Sequence, residues 1–169
     1  MSFRHAGFTL VELVVTIAVM AVVMAIAFPS FQSTLRSTRV STSTNDVISL
    51  VSLARSEGVR STHGGGVCAS GDGATCGNDW SAGWLAWADA NANGALDTGE
   101  AVLRFSNGSG HIVVTGPSTP ITFDARGLRS SAGGQAISIQ PDSCSGQALR
   151  RTLTITATGQ VKTQAGACI

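Results

Sequence analysis

From Phe8 to Phe28 the chain runs through 21 residues that are apolar apart from Thr9, Glu12 and Thr16. At 1.5 Å per residue a helix of that length spans about 31 Å, the thickness of one bilayer core. Beyond Pro29 the pattern changes. Between Ser30 and Arg60, the residues Val47, Leu50, Val51, Ala54 and Gly58 recur at i, i+3, i+4, i+7 and i+11, which predicts a helix with one stripe laid on a sheet. Ser37–Thr44 is weak helix by propensity and reads as a melted or exposed turn. "HGGGV", His63 to Val67, ends the helix as a flexible connector into the head.

Short strand-like runs follow: Trp80–Ala88, Ala101–Phe105, His111–Val114, Ile121–Phe123, Ala136–Gln140 and Arg151–Ala157. Gly, Asn, Pro and Asp separate them, as in antiparallel hairpins. Leu153 and Ile155 alternate with Thr in "RTLTIT", the mark of a half-buried strand. The predicted class is α+β: a long N-terminal helix, partly transmembrane, packed on a C-terminal antiparallel β-sheet head, with no internal repeat and no second domain.

Composition places the chain among exported β-rich proteins and not among disordered ones. Its 169 residues are 43% hydrophobic and 12% charged, room for one core plus one appendage. The net charge of +1 conceals a segregation. Residues 40–100 carry two arginines against seven carboxylates, about −5, and residues 101–169 carry six cations against Asp124 and Asp142, about +4. Such a chain has either complementary surfaces for head-to-tail packing of subunits or opposite charges facing each other within one head. Cys68, Cys76, Cys144 and Cys168 form no C-x-x-C pair. An even count behind an export segment favours disulfides over a zinc site, with three connectivities open; proximity in sequence favours Cys68–Cys76 and leaves Cys144–Cys168.

Glu12 stands out in the apolar run. A carboxylate in a bilayer costs several kcal/mol in an isolated helix, so it calls for a partner, unless it snorkels to the headgroups from near the helix end. A secretory signal has a shorter apolar core followed by a small-residue cleavage site; here the polar leader with Arg4 and His5 precedes a full-length span and holds that end in the cytoplasm. "G-FTLVE", Gly7 before Phe8 with Glu12 four residues on, resembles the class III signal of type IV pilins and type II secretion pseudopilins. The resemblance implies that a prepilin peptidase cuts after Gly7 and methylates the new N-terminal Phe8. It also implies that Glu12 pairs in a filament with the α-amino group of a neighbouring Phe8, so that two buried charges offset each other. Pro29 falls where that family has a helix kink. Residues 1–7 would then be the leader, 8–35 the transmembrane and assembly half of the helix, and 36–169 a periplasmic or extracellular head. "LARSEGVRS", "GWLAWADANANGALDTGE" and "ITFDARGLRS" are similar to the GspH/FimT branch of these proteins, which includes FimU-like minor pilins.

Other motifs carry weaker chemistry. "DANANGALDTGE" fits the twelve-residue calcium-loop template, with Asp89, Asn91, Asn93, the Ala95 carbonyl, Asp97 and Glu100 as ligands and Gly94 at the turn. The same residues make a polar hairpin tip. No cofactor is otherwise called for. "HGGG" is similar to an esterase oxyanion loop, but no G-x-S-x-G elbow, P-loop or H-E-x-x-H exists in the chain, so enzyme activity is not expected. Trp80 and Trp84 share a strand face and Trp87 points the other way, a core-packing pattern before it is a ligand platform. Arg126, Arg129, Arg150, Arg151 and Lys162 could contact phosphates. In FimT-like DNA receptors a Gly-Arg-x-Arg motif does so, and Gly159-Gln160-Val161-Lys162 departs from it at both arginines.

The expected function is that of a minor pilin co-assembling into a type IV pilus tip or priming complex. A minor pseudopilin of a type II secretion system is one alternative, and a DNA-binding minor pilin for transformation is another, nucleic acid being the less expected partner. The expected partners are other minor pilins, the major pilin, the prepilin peptidase and the inner-membrane assembly platform. The chain would sit in the inner membrane with its head in the periplasm and then enter the filament.

Overall fold

The computed structural model describes residues 8–131 and 133–169. The chain divides into two compact units, one ending at Leu35 and the other Arg36–Ile169. Helix α1, Leu10–Ser61, contributes to both.

In the first unit the helix begins at a capping motif. Thr9 Oγ1 accepts the Glu12 backbone N–H at 3.2 Å, which satisfies one of the donors that a helix start leaves free. All side chains from Phe8 to Gln32 are exposed. Pro29 lies inside the continuous helix and removes one backbone N–H; the hydroxyls of Ser33 and Thr34 both donate to the Ser30 carbonyl just beyond it.

In the second unit the helix buries Val40, Ser43, Thr44, Val47, Leu50, Val51, Ala54, Glu57 and Gly58, the expected stripe extended by two turns towards the N-terminus. This corrects the expectation of a melted turn at Ser37–Thr44. Val40, Ser43 and Thr44 lie on the packed face, and tertiary burial outweighs weak propensity. The helix ends where Thr62 takes a left-handed conformation, φ 59°.

Eight strands follow: β1 Gly64–Ala69, β2 Gly83–Asp89, β3 Val102–Asn107, β4 Ile112–Thr115, β5 Ile121–Asp124, β6 Gln135–Pro141, β7 Arg150–Ile155 and β8 Val161–Gly166. They form two antiparallel sheets, ordered β3-β2-β1-β5 and β4-β6-β7-β8. The helix stripe shares one core with Val67, Trp84, Ala86, Ile121 and Phe123 of the first sheet and with Ile112, Val114, Ile137, Ile139, Leu153 and Ile155 of the second. The unit therefore builds its core from its own residues.

Two strands went unread in the sequence. β1 consists at its start of Gly64, Gly65 and Gly66, which corrects the expectation of a flexible connector: it is an inner strand of the first sheet. Each glycine makes room for a neighbour. A Cβ on Gly65 would run into the Ala54 carbonyl, one on Gly66 into the Trp87 indole, and one on Gly64 would meet the Asp89 side chain at 3.0 Å. The helix thus approaches β1 backbone to backbone. β8, with the sequence VKTQAG, has almost no apolar signal and is a sheet edge held by pairing with β7.

Trp80 and Trp84 pack in the main core, and Trp87 lies on the other side of the first sheet with Cys68, Leu85, Leu96 and Phe105. Trp84 Nε1 donates to Asp46 Oδ2 at 2.9 Å, and Asp46 also pairs with Arg104 of β3, tying the helix to the first sheet.

Candidate functional site

Gly7, Arg4 and His5 lie outside the described residues. Phe8 is 83% exposed, and Glu12 stands in the first helical turn, where the positive end of the helix dipole favours a carboxylate. Among the described residues the Glu12 carboxylate has no hydrogen-bond or ion-pair partner. Its N-terminal position was legible as Thr9-x-x-Glu12 before an apolar run, a capping signal the sequence reading passed over.

Asp72, Asp79, Asp97 and Glu100 lie on two loops of the head, residues 70–82 and 90–101. Both loops reach the outer face of the first sheet: a Cβ on Gly73 would press on the Phe105 ring at 2.7 Å, and Leu96 packs on the cluster of Cys68, Leu85 and Trp87, while Trp80 at the end of the first loop turns into the main core. Cys68–Cys76 ties the first loop to β1. Within that loop Asp72 accepts hydrogen bonds from the N–H groups of Ala74 and Thr75 and from the hydroxyls of Thr75 and Ser70. These hold its carboxyl well below the ordinary range.

The Asp89–Glu100 loop closes on itself. Asp89 accepts the Asn93 and Gly94 N–H groups at 3.1 and 2.8 Å, and Glu100 accepts those of Ala90 and Asp97 at 2.8 and 3.0 Å. Asp97 Oδ2 accepts both the Asn91 and Asn93 amides, which hold its carboxyl below the ordinary range. Among the described residues no three His, Cys, Asp or Glu side chains converge as a metal-ligand set. Every carboxylate of the template is occupied by the loop's own donors, and Ala95 contributes its N–H to Asn93 Oδ1.

The basic residues are spread out. Arg126 pairs with Asp124 at 3.0 Å, Arg129 donates to the carbonyls of Ser131 and Gly133, and Arg151 donates to that of Ala148. Burial pushes the Asp124 carboxyl up, but the N–H groups of Leu128 and Arg126 and the Arg126 guanidinium outweigh it and bring it down. Arg150 and Lys162 share the outer face of the second sheet, but they do not adjoin. Arg150 is opposite Gly166 and Lys162 opposite Thr154, four steps or about 13 Å along the strands. Arg151 faces the other way, so the three cations singled out for DNA are not one patch. Lys162 and the Gly159-Gln160-Val161 turn also border a groove of about 730 Å³ against Ile48, Arg55 and Val59 of the helix, which the sequence did not suggest. Arg55 is held there by the Gly127 carbonyl at 2.9 Å, and Arg60 by Glu57, which raises the Arg60 pKa.

Cys144–Cys168 ties the C-terminal tail to the β6–β7 loop. The Gln140 amide clamps the last residue from β6, donating to the Ile169 carbonyl and accepting its N–H.

With this geometry in hand, the fold is that of solved pilin-type heads. The type IV minor pilin FimU of Pseudomonas aeruginosa, in two crystal forms, superposes with TM-scores of 0.56 and 0.54 at 21% and 22% identity, covering 75% and 73% of this chain and 89% and 91% of that one. The minor pseudopilin EpsH from the type 2 secretion system of Vibrio cholerae superposes with a TM-score of 0.52 at 12% identity, over 75% of this chain and 97% of that one. No curated protein matches the sequence. The family model for the prokaryotic N-terminal methylation motif matches residues 2–28. The model for the type II transport protein GspH matches residues 43–159, more than half of the chain, which therefore belongs to the GspH family of pilin-like minor pilins and pseudopilins.

Proposed function

We propose that this protein is a minor pilin that co-assembles through residues 8–35 into the tip or priming complex of a type IV pilus. The observation that carries the reading is the exposed helix surface from Phe8 to Gln32, apolar through Phe28 apart from Thr9, Glu12 and Thr16, with Glu12 as its lone charge and no partner for it among the described residues. Pilin and pseudopilin families are structural and not catalytic, and the role needs no cofactor. The prepilin peptidase removes residues 1–7 after Gly7 and methylates Phe8. The chain then waits in the inner membrane with its head in the periplasm. On transfer to the filament by the assembly platform, Glu12 meets the α-amino group of a neighbouring Phe8, from another minor pilin or the major pilin, and the attraction between the two charges offsets the cost of burying each.

The GspH match supports a second setting, the pseudopilus of a type II secretion system, with the same processing and the same charge pair. Sheared filaments from producing cells separate the two: the protein is expected to co-purify with pili, with Phe8 N-methylated by mass spectrometry, and Glu12→Ala is expected to fold and insert but be lost from the filament fraction. Retention of Met1 in cells with an active prepilin peptidase, or full incorporation of Glu12→Ala, would refute the assembly reading. A secretion defect with intact pili on deletion would move the protein to the pseudopilus.

A further inference from the structure

The two sheets turn faces of opposite charge away from the shared core. The outer face of the first sheet is roofed by the two acidic loops, where Asp72 and Asp97 are exposed and are held ionised by hydrogen bonds. The outer face of the second sheet has the opposite character. Counting alternate residues across the register, it carries Ser138, Thr152, Thr154 and Gln164 between Arg150 and Lys162, with no carboxylate on any of its strands. The side chains of Arg150 and Lys162 have no hydrogen-bond or ion-pair partner among the described residues, and Arg150 Nε is buried without one. The face ends at the exposed strand β8, an open sheet edge. Arg104 meets Asp46 within the head, but the carboxylates of the two acidic loops do not neutralise Arg150 and Lys162 there.

We propose that the outer face of the second sheet is a docking surface for the acidic loop face of a second copy of this chain, with Arg150 and Lys162 meeting Asp72 and Asp97 of that copy. The contact joins two different faces, so it is head-to-tail and does not close on itself; each added copy presents a fresh acidic face and a fresh basic face. Small hydroxyl and amide side chains between the cations allow close approach, and the charges of Lys162, Asp72 and Asp97, which are exposed, make the contact salt-dependent. The contact goes beyond helix-mediated assembly and concerns the heads alone.

The test is sedimentation velocity on the oxidised head, residues 36–169, whose core is built from its own residues. At about 20 mM salt the weight-average sedimentation coefficient is expected to rise with concentration without levelling at a dimer, and at about 0.5 M salt the rise should largely vanish. Lys162→Glu with Gln164→Glu spoils the basic face, and Asn78→Lys with Thr98→Lys spoils the acidic loops; all four positions are exposed. Each double variant, with an unchanged melting curve, is expected to bind its own kind about tenfold more weakly or worse. Mixed together, they keep one good face each and should form a heterodimer that grows no further. A head that stays monomeric at low salt, double variants that associate like the parent, or a mixture that does not pair would overturn the contact. So would retention of duplex DNA by the basic face in place of self-association. Filament co-purification of the full chain is a separate readout, so failure of the head contact leaves the assembly reading distinguishable.

Discussion

Gly65→Ala puts local and tertiary physics in opposition. Gly65 is in β1 without a positive φ, so alanine fits its backbone. By conformational entropy alone the substitution should stabilise the head by about 0.4–1 kcal/mol, because the unfolded chain loses freedom. The structure predicts the reverse. The new Cβ would overlap the Ala54 carbonyl oxygen, a main-chain atom of α1 that cannot rotate aside, and β1 is pinned between β2 and β5. The helix must move off the sheet, loosening the contacts of Leu50, Val51 and Ala54. Overpacking of this kind costs about 1–3 kcal/mol, and rigid backbone on both sides places it at the upper end. After the entropic gain the net loss is about 2 kcal/mol, a fall in Tm of about 6–10 °C for a head of this size. Thermal melting of the oxidised head by circular dichroism measures it, with Gly110→Ala as control, since nothing lies within 4 Å of that position. A raised Tm for Gly65→Ala, or a change no larger than that of Gly110→Ala, would refute the close approach of helix and strand.

Asp46→Ala strands the Trp84 indole N–H and should cost about 1–3 kcal/mol in urea unfolding, whereas Arg104→Ala, which removes only a half-exposed partner, should cost under about 1 kcal/mol; equal losses would contradict the assignment. Asp72 and Asp142, the latter accepting from His111 Nδ1 at 2.8 Å, have folded-state pKa values below the unfolded value of 3.8, so their contribution is present above about that pH and is lost as pH falls through the depressed values. Acid titration of Asp72→Asn should therefore show a smaller loss of stability below that pH than the parent. Calcium at about millimolar concentration is expected to leave the Tm of the head unchanged, because the Asp89–Glu100 carboxylates already hold their N–H donors; a rise in Tm abolished by Asp89→Ala with Glu100→Ala would show a metal site.

What the sequence determined by itself was whatever a local period encodes. The apolar span with Glu12 was legible as an unbroken run of bilayer length, and the helix stripe through Val47 and Ala54 and β7 with Leu153 and Ile155 alternating were legible because each buries one face at a fixed spacing along a single element. The start of β1 carried no such signal. Gly64–Gly66 is a strand only because Ala54, Trp87 and Asp89 come to it from elsewhere in the chain, and glycine is the residue that lets them in. β8 is likewise defined by its pairing with β7 and not by its own polar side chains. The same limit applied to charge. The segregation of acids from bases could be counted in the sequence, but whether they would meet within one head depended on which sheet face each loop covers. That is settled by long-range packing, which folds Leu96 and Gly73 over the first sheet, half-buries Arg150 on the second and leaves Lys162 exposed there.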